Sequence, residues 1–374
     1  MNIIQLDLAN KQQIQDFLSL PSRIYRDIPQ WVPPLEGEER ARLDLRRYPF
    51  YRHSEAAFFL KYRDGIPVGR LAVLDNRPYN DHNHEETAFF YLFECEPEPV
   101  SAGGLFESAF DWARRRGLKR VLGPRGFTAL DGLGLLERGF ERRPALGMPY
   151  NPPYYSELIK AQGFEKEAEI VSGYLGPDIQ FPERIHELAA RIRERRGLNI
   201  ARFRTRRELR SALRYLKILY NSTLEGTSGG TPITDKEIKT LASQMLWFAD
   251  PNLIKIVMKD DRPVGFLLAY PDISAALQKT KGRLFPFGWI TILREIHTTD
   301  WININGAGMI EEYRGLGGTA ILYSEMFKSV IENPRYRNAE VVQIGRENEK
   351  MQREMENFGV DFYKIHRMYL KNLS

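Results

Sequence analysis

The chain has 374 residues, of which 43% are hydrophobic and 28% are charged, and it carries a formal net charge of +5 at pH 7. This length and composition predict two or three globular domains with a substantial core. A single cysteine, Cys95, excludes a disulfide framework within the chain, and six scattered histidines lack the spacing of a metal site.

The mild excess of positive charge favours an anionic small-molecule ligand, and we predict no nucleic-acid partner from it. No apolar run approaches the roughly 20 residues of a membrane-spanning helix. The first residues, Met1 to Gln5, lack the charged and apolar regions of a signal peptide. We therefore expect a cytoplasmic protein without an integral membrane span, either a monomer or a homodimer.

The first half of the chain predicts alternating strands and helices. A short strand and a helix that ends near Pro21 precede an arm, residues 21–55, rich in proline, arginine and aromatic residues. Apolar periodicity and turn residues then predict a hairpin, a strand, two helices and a final strand. The hairpin strands are 56–61 and 67–74, the next strand is 88–95, the helices are 102–116 and 154–162, and the final strand is 169–174.

The second half shows broadly the same order with an additional leading helix. Helices are predicted at 179–197, 206–224, 235–247 and 348–358, and strands at 199–203, 253–258, 264–270, 339–345 and 362–370. A long insert runs from Pro271 to Asp300. The matching element orders predict two tandem domains, residues 1–177 and residues 178–374.

The stretch from Trp301 to Asn333 combines a strand, a glycine-rich turn and a helix. The turn reads Arg314-Gly315-Leu316-Gly317-Gly318-Thr319. Glycines let a ligand approach the backbone closely, and the free N–H groups at a helix start bind anions. This stretch therefore predicts a phosphate-binding site, although an ordinary turn with a helix cap remains an alternative.

The Arg314-x-x-Gly317 spacing after a strand resembles the Gln/Arg-x-x-Gly-x-Gly/Ala signature of the GCN5-related N-acetyltransferases (GNATs). The sequence departs from the pattern at Glu311, where proline is usual, and at Thr319, where glycine or alanine is usual. The resemblance implies an α/β fold with a mixed sheet in each of two tandem GNAT-like domains. It also implies acetyl-CoA or a longer acyl-CoA as co-substrate, with no metal.

By this resemblance the strand before the turn splays, and its backbone binds the pantetheine. A second match, Asn348-x-x-Met351-x-x-x-Met355-x-x-x-Gly359, lies on the last predicted helix. The implied coenzyme-binding residues are Met309, Ile310, Arg314, Gly315, Leu316, Gly317, Gly318, Thr319 and Asn348.

Acyl transfer to an amine needs a base for the ammonium group and an acid for the leaving thiolate. We name Glu311, Glu225 and His297 as candidate catalytic residues, because each stands near the turn, the acceptor side or the central strand. Met355 occupies the position of the tyrosine that often serves as the acid in this family. Tyr313, Tyr363 or Tyr369 could substitute, or the thiolate could leave unassisted.

The first half has no phosphate turn after its corresponding strand. Glu94, Glu96 and Glu98 stand there instead, and their charges would repel a diphosphate. We therefore predict that this half binds no coenzyme in the usual way. The glycine- and aromatic-rich stretch 123–153 is interpreted either as a binding loop or as a loop packed against the second half.

The sequence thus predicts an acyl-CoA-dependent N-acyltransferase with a small-molecule or lipid-like amine acceptor. Two alternatives stay open: a non-catalytic CoA-binding or interaction module, and a transferase acting on long-chain amines. A transferase of the tandem type acting on aminoacyl or peptide groups is a further possibility. The apolar insert either contributes to a lipid site or packs against the first half, and core packing is the favoured interpretation.

Overall fold

The structure is a computed structural model that describes residues 2–128, 131–178, 181–223 and 230–373. Its strands are β1 (Asn2–Gln5), β2 (Glu55–Arg63), β3 (Ile66–Asp75), β4 (Thr87–Cys95), β5 (Arg120–Gly123), β6 (Leu135–Arg138), β7 (Glu165–Leu175), β8 (Leu198–Ala201), β9 (Ile254–Lys259), β10 (Arg262–Pro271), β11 (Trp301–Met309), β12 (Asn338–Gly345) and β13 (Asp361–Asn372).

Its helices are α1 (Lys11–Ile24), α2 (Glu36–Arg42), α3 (Arg77–Asn83), α4 (Pro99–Arg114), α5 (Tyr155–Lys160), α6 (Glu183–Arg196), α7 (Arg206–Ser211), α8 (Leu213–Thr223), α9 (Asp235–Met245), α10 (Ser274–Thr280), α11 (Gly288–Thr298), α12 (Gly318–Glu332) and α13 (Glu349–Asn357). One helix predicted at 206–224 is thus two helices, α7 and α8. The insert, predicted only as a connection, contains α10 and α11.

All the described strands belong to one mixed sheet that runs through both halves. Its order is β1-β2-β3-β4-β5-β13-β7-β12-β11-β10-β9-β8, with β6 paired to β13 outside this path. Among the described strand pairs, only β4 with β5 and β11 with β12 are parallel. The predicted α/β class with a mixed sheet is therefore confirmed.

The two halves exchange their last strands. β7, the last strand of the first half, pairs with β12 of the second half. β13, the last strand of the chain, pairs with β5 and β6 of the first half and with β7. The resemblance implies a separate mixed sheet in each half, whereas backbone hydrogen bonds join the halves into one sheet. A division of the chain near residue 178 remains a prediction.

Two large apolar clusters pack the sheet within the described residues. The first-half cluster joins α4 and α5 to β2–β5, and Phe90, Phe106 and Tyr155 lie at its centre. The second-half cluster joins α6 and α12 to β9–β11 and includes Ile192, Ile302 and Ile321. Burial of aliphatic and aromatic side chains on this scale holds the helices against the sheet and fixes the position of the turn that precedes α12.

Candidate functional site

The strands β11 and β12 separate halfway along their length. Their parallel register runs from Trp301 opposite Asn338 to Ile304 opposite Val341 and then stops. β11 continues on its other side, where it pairs with β10 as far as Met309 opposite Gly265. The backbone of β11 after Ile304 therefore has no strand partner on the β12 side. This is the splay expected for the strand before the turn.

The turn after β11 presents unused backbone donors. A short 3₁₀ turn, Glu311–Tyr313, leads to Gly315 and Gly317, whose φ angles of 70° and 83° lie in the left-handed region. Gly317 is the N-cap of α12 and makes no side-chain cap bond. Within the described residues, the N–H groups of Gly315, Gly317, Gly318 and Thr319 donate no hydrogen bond. A helix start with several free donors fits a diphosphate.

Arg314 stabilises this turn through two hydrogen bonds to backbone carbonyl groups. Its Nε donates to the carbonyl of Met309 at 3.2 Å, and its NH2 donates to the carbonyl of Thr223 at 2.8 Å. Thr223 is the last residue of α8, so the guanidinium ties the turn to the helix that covers β10 and β11. The side chain remains exposed. A contact between the guanidinium of Arg314 and a phosphate remains a prediction.

The glycines of the turn have different surroundings. A Cβ at Gly317 would lie 2.1 Å from Cδ1 of Ile192 on α6, and one at Gly318 would lie 2.4 Å from Cε of Met309. A Cβ at Gly315 would meet nothing within 4 Å. Gly317 is therefore required for the close packing of α6 against α12, whatever its role toward a phosphate.

The other predicted site residues are not gathered in one place. Glu311 is exposed beside the turn, and Asn348 is exposed at the start of α13, where its Oδ1 accepts the N–H of Met351 at 3.1 Å. His297 is exposed near the end of α11, before β11 begins, and the nine residues of β11 span about 27 Å. Leu316 lies within the turn, and Ile310 lies just after β11 and before the turn. Glu225 lies outside the described residues.

Met355 lies in an apolar cluster at the point where β11 and β12 separate. It is 5% exposed and packs with Val341, and Ile304 and Tyr323 join the same cluster. The hydroxyl of Tyr323, on α12, is 3.1 Å from Sδ of Met351. Of the tyrosines named from the sequence, Tyr369 instead bonds Glu137 in the first half. Tyr323 was not named, because nothing local marks a helical tyrosine as facing another helix.

A cavity of about 310 Å³ lies between the two halves. Asn305 of β11 contributes to its wall and donates through Nδ2 to the hydroxyl of Tyr270 at 3.0 Å. The splayed strand is therefore also a wall of the cavity. Apart from Gln244, the remaining second-half wall is apolar and is formed by Leu241, Met245, Phe248, Ile273 and Leu277.

The first-half wall of this cavity is mixed, because apolar side chains such as Trp31, Leu92 and Phe93 lie beside charged and tyrosine side chains. The carboxylate of Glu94 accepts hydrogen bonds from Tyr25 at 2.8 Å and Tyr155 at 2.7 Å, and it lies 3.8 Å from the guanidinium of Arg70. Burial raises the pKa of Glu94, although Arg70 opposes this shift. Burial also raises the pKa of Glu38, on the same wall. The cavity therefore holds carboxyl groups beside an apolar surface.

The stretch 123–153 packs against the second half and also borders the cavity, and its role as a binding loop remains a prediction. Met148 and Asn151 line the cavity. Leu146 donates its N–H to Asp272 of the second half at 3.3 Å, and Ala145 packs against Val342 of β12. The loop therefore closes the cavity and joins the halves at the same time.

In the first half, the position after β4 corresponds to the glycine turn after β11. Side chains of the first half fill this position. The hydroxyl of Tyr155 accepts the N–H of Cys95 at 3.0 Å, and the hydroxyl of Tyr154 donates to the carbonyl of Cys95 at 2.8 Å. Glu96 pairs with Arg63 at 2.5 Å just before α4. These contacts are consistent with a first half that binds no coenzyme. That conclusion remains a prediction.

A second, smaller cavity of about 70 Å³ lies between α7, α8, α9 and the sheet. Its lining is almost entirely aliphatic and includes Leu213, Leu216, Ile238 and Leu268. Leu241 and Met245 line both cavities. Tyr270 also lines both, so these three side chains separate the two cavities.

Comparisons with known proteins give similarity over nearly the whole chain. No family model matches. The chain is 25% identical over 373 residues to Protein YghO of Escherichia coli (strain K12), covering 97% of this chain and 94% of that protein. It is 26% identical over 370 residues to a bacterial ceramide synthase of Caulobacter vibrioides, covering 96% and 95%.

Solved structures match the fold over the full length. A tandem GNAT protein from the clavulanic acid biosynthesis pathway superposes with a TM-score of 0.57 at 11% identity, covering 100% of this chain and 98% of that one. A GCN5-related N-acetyltransferase from Sphaerobacter thermophilus gives 0.52 at 13% identity, covering 100% and 95%. The predicted tandem fold is confirmed.

In the part of the chain that is described, no helix is long and apolar enough to cross a membrane.

Proposed function

Given a chain with the tandem GNAT fold, we propose that it is an acyl-CoA-dependent N-acyltransferase with one coenzyme site, in its second half. The observation that carries this proposal is the position of Asn305. It lies on the splayed part of β11, beyond the last pair with β12, and in the wall of the 310 Å³ cavity. A coenzyme site and an acceptor site would therefore share one strand.

The chain's own residues fit acyl-CoA at the turn. The free N–H groups of Gly315, Gly317, Gly318 and Thr319 would hold the diphosphate, and the unpaired backbone of β11 after Ile304 would hold the pantetheine. Acyl-CoA supplies the activated thioester. Gly306, with a φ of 101°, keeps this part of β11 free of a side chain.

The acceptor that best fits the cavity is an amine with a long apolar chain. The wall formed by Leu241, Phe248 and Leu277 suits a hydrocarbon, and the opposite wall carries Glu94 and Glu38 for an ammonium or hydroxyl group. Both carboxyl groups have raised pKa values through burial, so they are better suited to take a proton from the amine near neutral pH. Similarity to a bacterial ceramide synthase also favours this acceptor.

For the leaving thiolate we assign the acid role to Tyr323. It packs in the cluster of Met355, which occupies the usual position of the acid. Its hydroxyl makes one hydrogen bond in the described residues, to the thioether of Met351, a weak acceptor that leaves it available to a stronger one.

A non-catalytic CoA-binding module is the second candidate, because Met355 cannot donate a proton. One assay separates the two. CoA release is measured with acetyl-CoA and with palmitoyl-CoA, each offered a long-chain 2-amino-1,3-diol or a short water-soluble amine, and the N-acyl product is identified by mass spectrometry.

We expect release of CoA that depends on the long-chain amine and falls at least tenfold in Thr319→Glu. Thermal shift with CoA runs in parallel, because a bound ligand stabilises the folded state by mass action. Stabilisation by CoA without product from any pair would leave the binding module as the function. No stabilisation and no product would overturn both candidates.

A further inference from the structure

The insert between β10 and β11 exposes a compact apolar surface, here called the insert patch. It consists of Phe285, Phe287, Trp289, Ile290 and Leu293, which are 82%, 72%, 46%, 48% and 40% exposed. Five large apolar side chains within nine residues are more than the scattered exposure usual for a protein surface. Within the described residues, nothing packs over them.

The patch is held in place by the residues beneath it. Ile292 and Ile296, one helical turn apart on α11, are buried against Ile273 and Leu277. Ile290 lies on the opposite face of α11 and points outward, whereas Trp289 and Leu293 lie at the edge of the buried stripe and remain 46% and 40% exposed. Phe285 and Phe287 come just before the first residue of α11, so the patch combines the exposed side of a packed helix with the segment that leads into it.

The insert is also anchored to the arm of the first half. Nε2 of Gln278 donates to the carbonyls of Pro29 at 2.8 Å and Trp31 at 3.0 Å. The N–H of Glu36 donates to the carbonyl of Gly282 at 3.0 Å. The favoured interpretation of the insert as core packing thus holds for its inner face and leaves its outer face unexplained.

Basic side chains flank the patch in the sequence. Lys279, Lys281, Arg283 and Arg294 are all exposed within the same segment. One carboxylate, that of Glu36, lies 3.4 Å from Arg283, and the acidic side chain on α11, Glu295, is half-buried. The rim therefore keeps a net positive charge around an aromatic and aliphatic centre.

We propose that the insert patch docks onto the surface of a lipid bilayer that contains anionic lipids. Aromatic and aliphatic side chains with flanking lysine and arginine are the combination that lies in the interface of such a membrane. A second copy of this chain is a poorer occupant, because a symmetric contact would place two basic rims against each other. The inference does not depend on acyl transfer.

The docked position has a consequence for the cavity. Ile273 and Leu277 contact the inner face of α11 and also line the 310 Å³ cavity. The patch therefore lies one layer of side chains from the cavity wall. An amphiphile held in the bilayer would be close to the site at which the proposed function needs it.

The test is co-sedimentation of the full chain with vesicles of phosphatidylcholine alone and with vesicles in which about one third of the lipid is phosphatidylglycerol. We expect the wild type to bind the anionic vesicles and to lose binding at high salt. Phe285→Ser/Phe287→Ser should reduce the bound fraction at least fivefold. Lys279→Gln/Lys281→Gln/Arg294→Gln should reduce it on anionic vesicles to the level seen with phosphatidylcholine.

Two matched controls use exposed residues of the first half. Val100→Ser, at a residue 71% exposed, and Lys11→Gln/Lys119→Gln/Lys160→Gln should bind like the wild type. Equal binding by all variants, or no binding by the wild type, would overturn the proposal. So would a wild-type dimer that Phe285→Ser/Phe287→Ser converts to a monomer, because the patch would then be an interface between copies. Thermal shift with CoA should be unchanged in every variant, which keeps this test separate from that of the coenzyme site.

Discussion

Nζ of Lys364 lies 2.8 Å from Oε1 of Glu340, and the two side chains are 1% and 3% exposed. Lys364 is on β13 and Glu340 is on β12, with β7 between them. Lys364 also donates to the carbonyl of Arg143 at 2.9 Å, in the loop that closes the cavity. This ion pair therefore lies where the exchanged strands of both halves meet.

Lys364→Met should destabilise the protein by about 3–5 kcal/mol, because it leaves the carboxylate of Glu340 buried without its cation. The double variant Lys364→Met/Glu340→Gln should recover much of this loss, because neither charge is then buried alone. Urea unfolding followed by fluorescence measures both. Arg353→Met, in the exposed pair with Glu349, is the control and should change stability by less than about 1 kcal/mol. A single variant as stable as the wild type would contradict this.

His366 should make the protein less stable in mild acid. Its side chain is fully buried, and burial lowers the pKa of the imidazole to about 4, with a smaller contribution from Lys364. The unfolded pKa is about 6.5, so between these values the unfolded state binds the extra proton. Stability is therefore complete above about pH 6.5 and is lost as the pH falls toward 4.

The variant His366→Gln keeps a donor for the carbonyl of Pro149, which lies 3.1 Å from Nε2, and removes the titration. In the wild type, protonation of His366 in the unfolded state should make the free energy of unfolding about 2 kcal/mol lower at about pH 5 than at about pH 7.5. We expect this contribution to be absent in His366→Gln. His297→Asn, at an exposed histidine, should keep the wild-type pH dependence. The same pH dependence in His366→Gln would show that other groups cause it. His297→Asn also tests the catalytic role that the sequence suggested for His297.

Thr319→Glu should weaken CoA binding at least tenfold while leaving the fold intact. The residue lies in the first turn of α12, where a carboxylate interacts favourably with the helix dipole but repels a diphosphate. Thr319→Gln matches it in size without the charge. Isothermal titration with CoA compares the two, and equal affinities would mean that the diphosphate does not lie at this turn.

Tyr323→Phe should lower kcat with little change in KM for either substrate. A positioned general acid typically contributes about 10²- to 10⁴-fold. The matched control is Tyr369→Phe, which also removes a buried hydroxyl, one bonded to Glu137 in the first half. That change should affect stability more than kcat. Unchanged kcat in Tyr323→Phe would mean that the thiolate leaves with other help or none.

Titration with CoA should give one site per chain. The first half has Glu96 paired to Arg63 before α4, and the hydroxyls of Tyr154 and Tyr155 already bond the backbone of Cys95. Thr319→Glu should therefore leave no residual high-affinity site. Two sites in the wild type, or one that survives this substitution, would contradict the prediction for the first half.

The sequence was informative wherever a signal is local. The strand, glycine turn and helix from β11 to α12 could be placed because left-handed positions at Gly315 and Gly317 and the apolar period of α12 are properties of neighbouring residues. The order of elements in both halves followed from the same kind of signal. The fold class was confirmed by the structure and by the tandem GNAT structures that it resembles.

The sequence was least informative about which residues meet. Glu94, Tyr155 and Asn305 line one cavity although they are far apart in the chain, and none has a local pattern that marks it. Gly317 was interpreted through the coenzyme motif alone, whereas its packing against Ile192 on α6 is visible only in three dimensions. The outward face of α11 could not be told from its inward face, because its apolar residues occupy both.

By itself, then, the sequence determined the strand, glycine turn and helix from β11 to α12, the repeated order of elements, and the lack of a similar glycine turn in the sequence of the first half. Only the tertiary structure decided the exchange of β7 and β13, the cavity between the halves, and the pairing of Lys364 with Glu340. The physical reason is that turn geometry and helical period depend on adjacent residues. Strand pairing between distant segments depends on the total burial and hydrogen bonding of the whole sheet. A short stretch of sequence does not determine that total free energy.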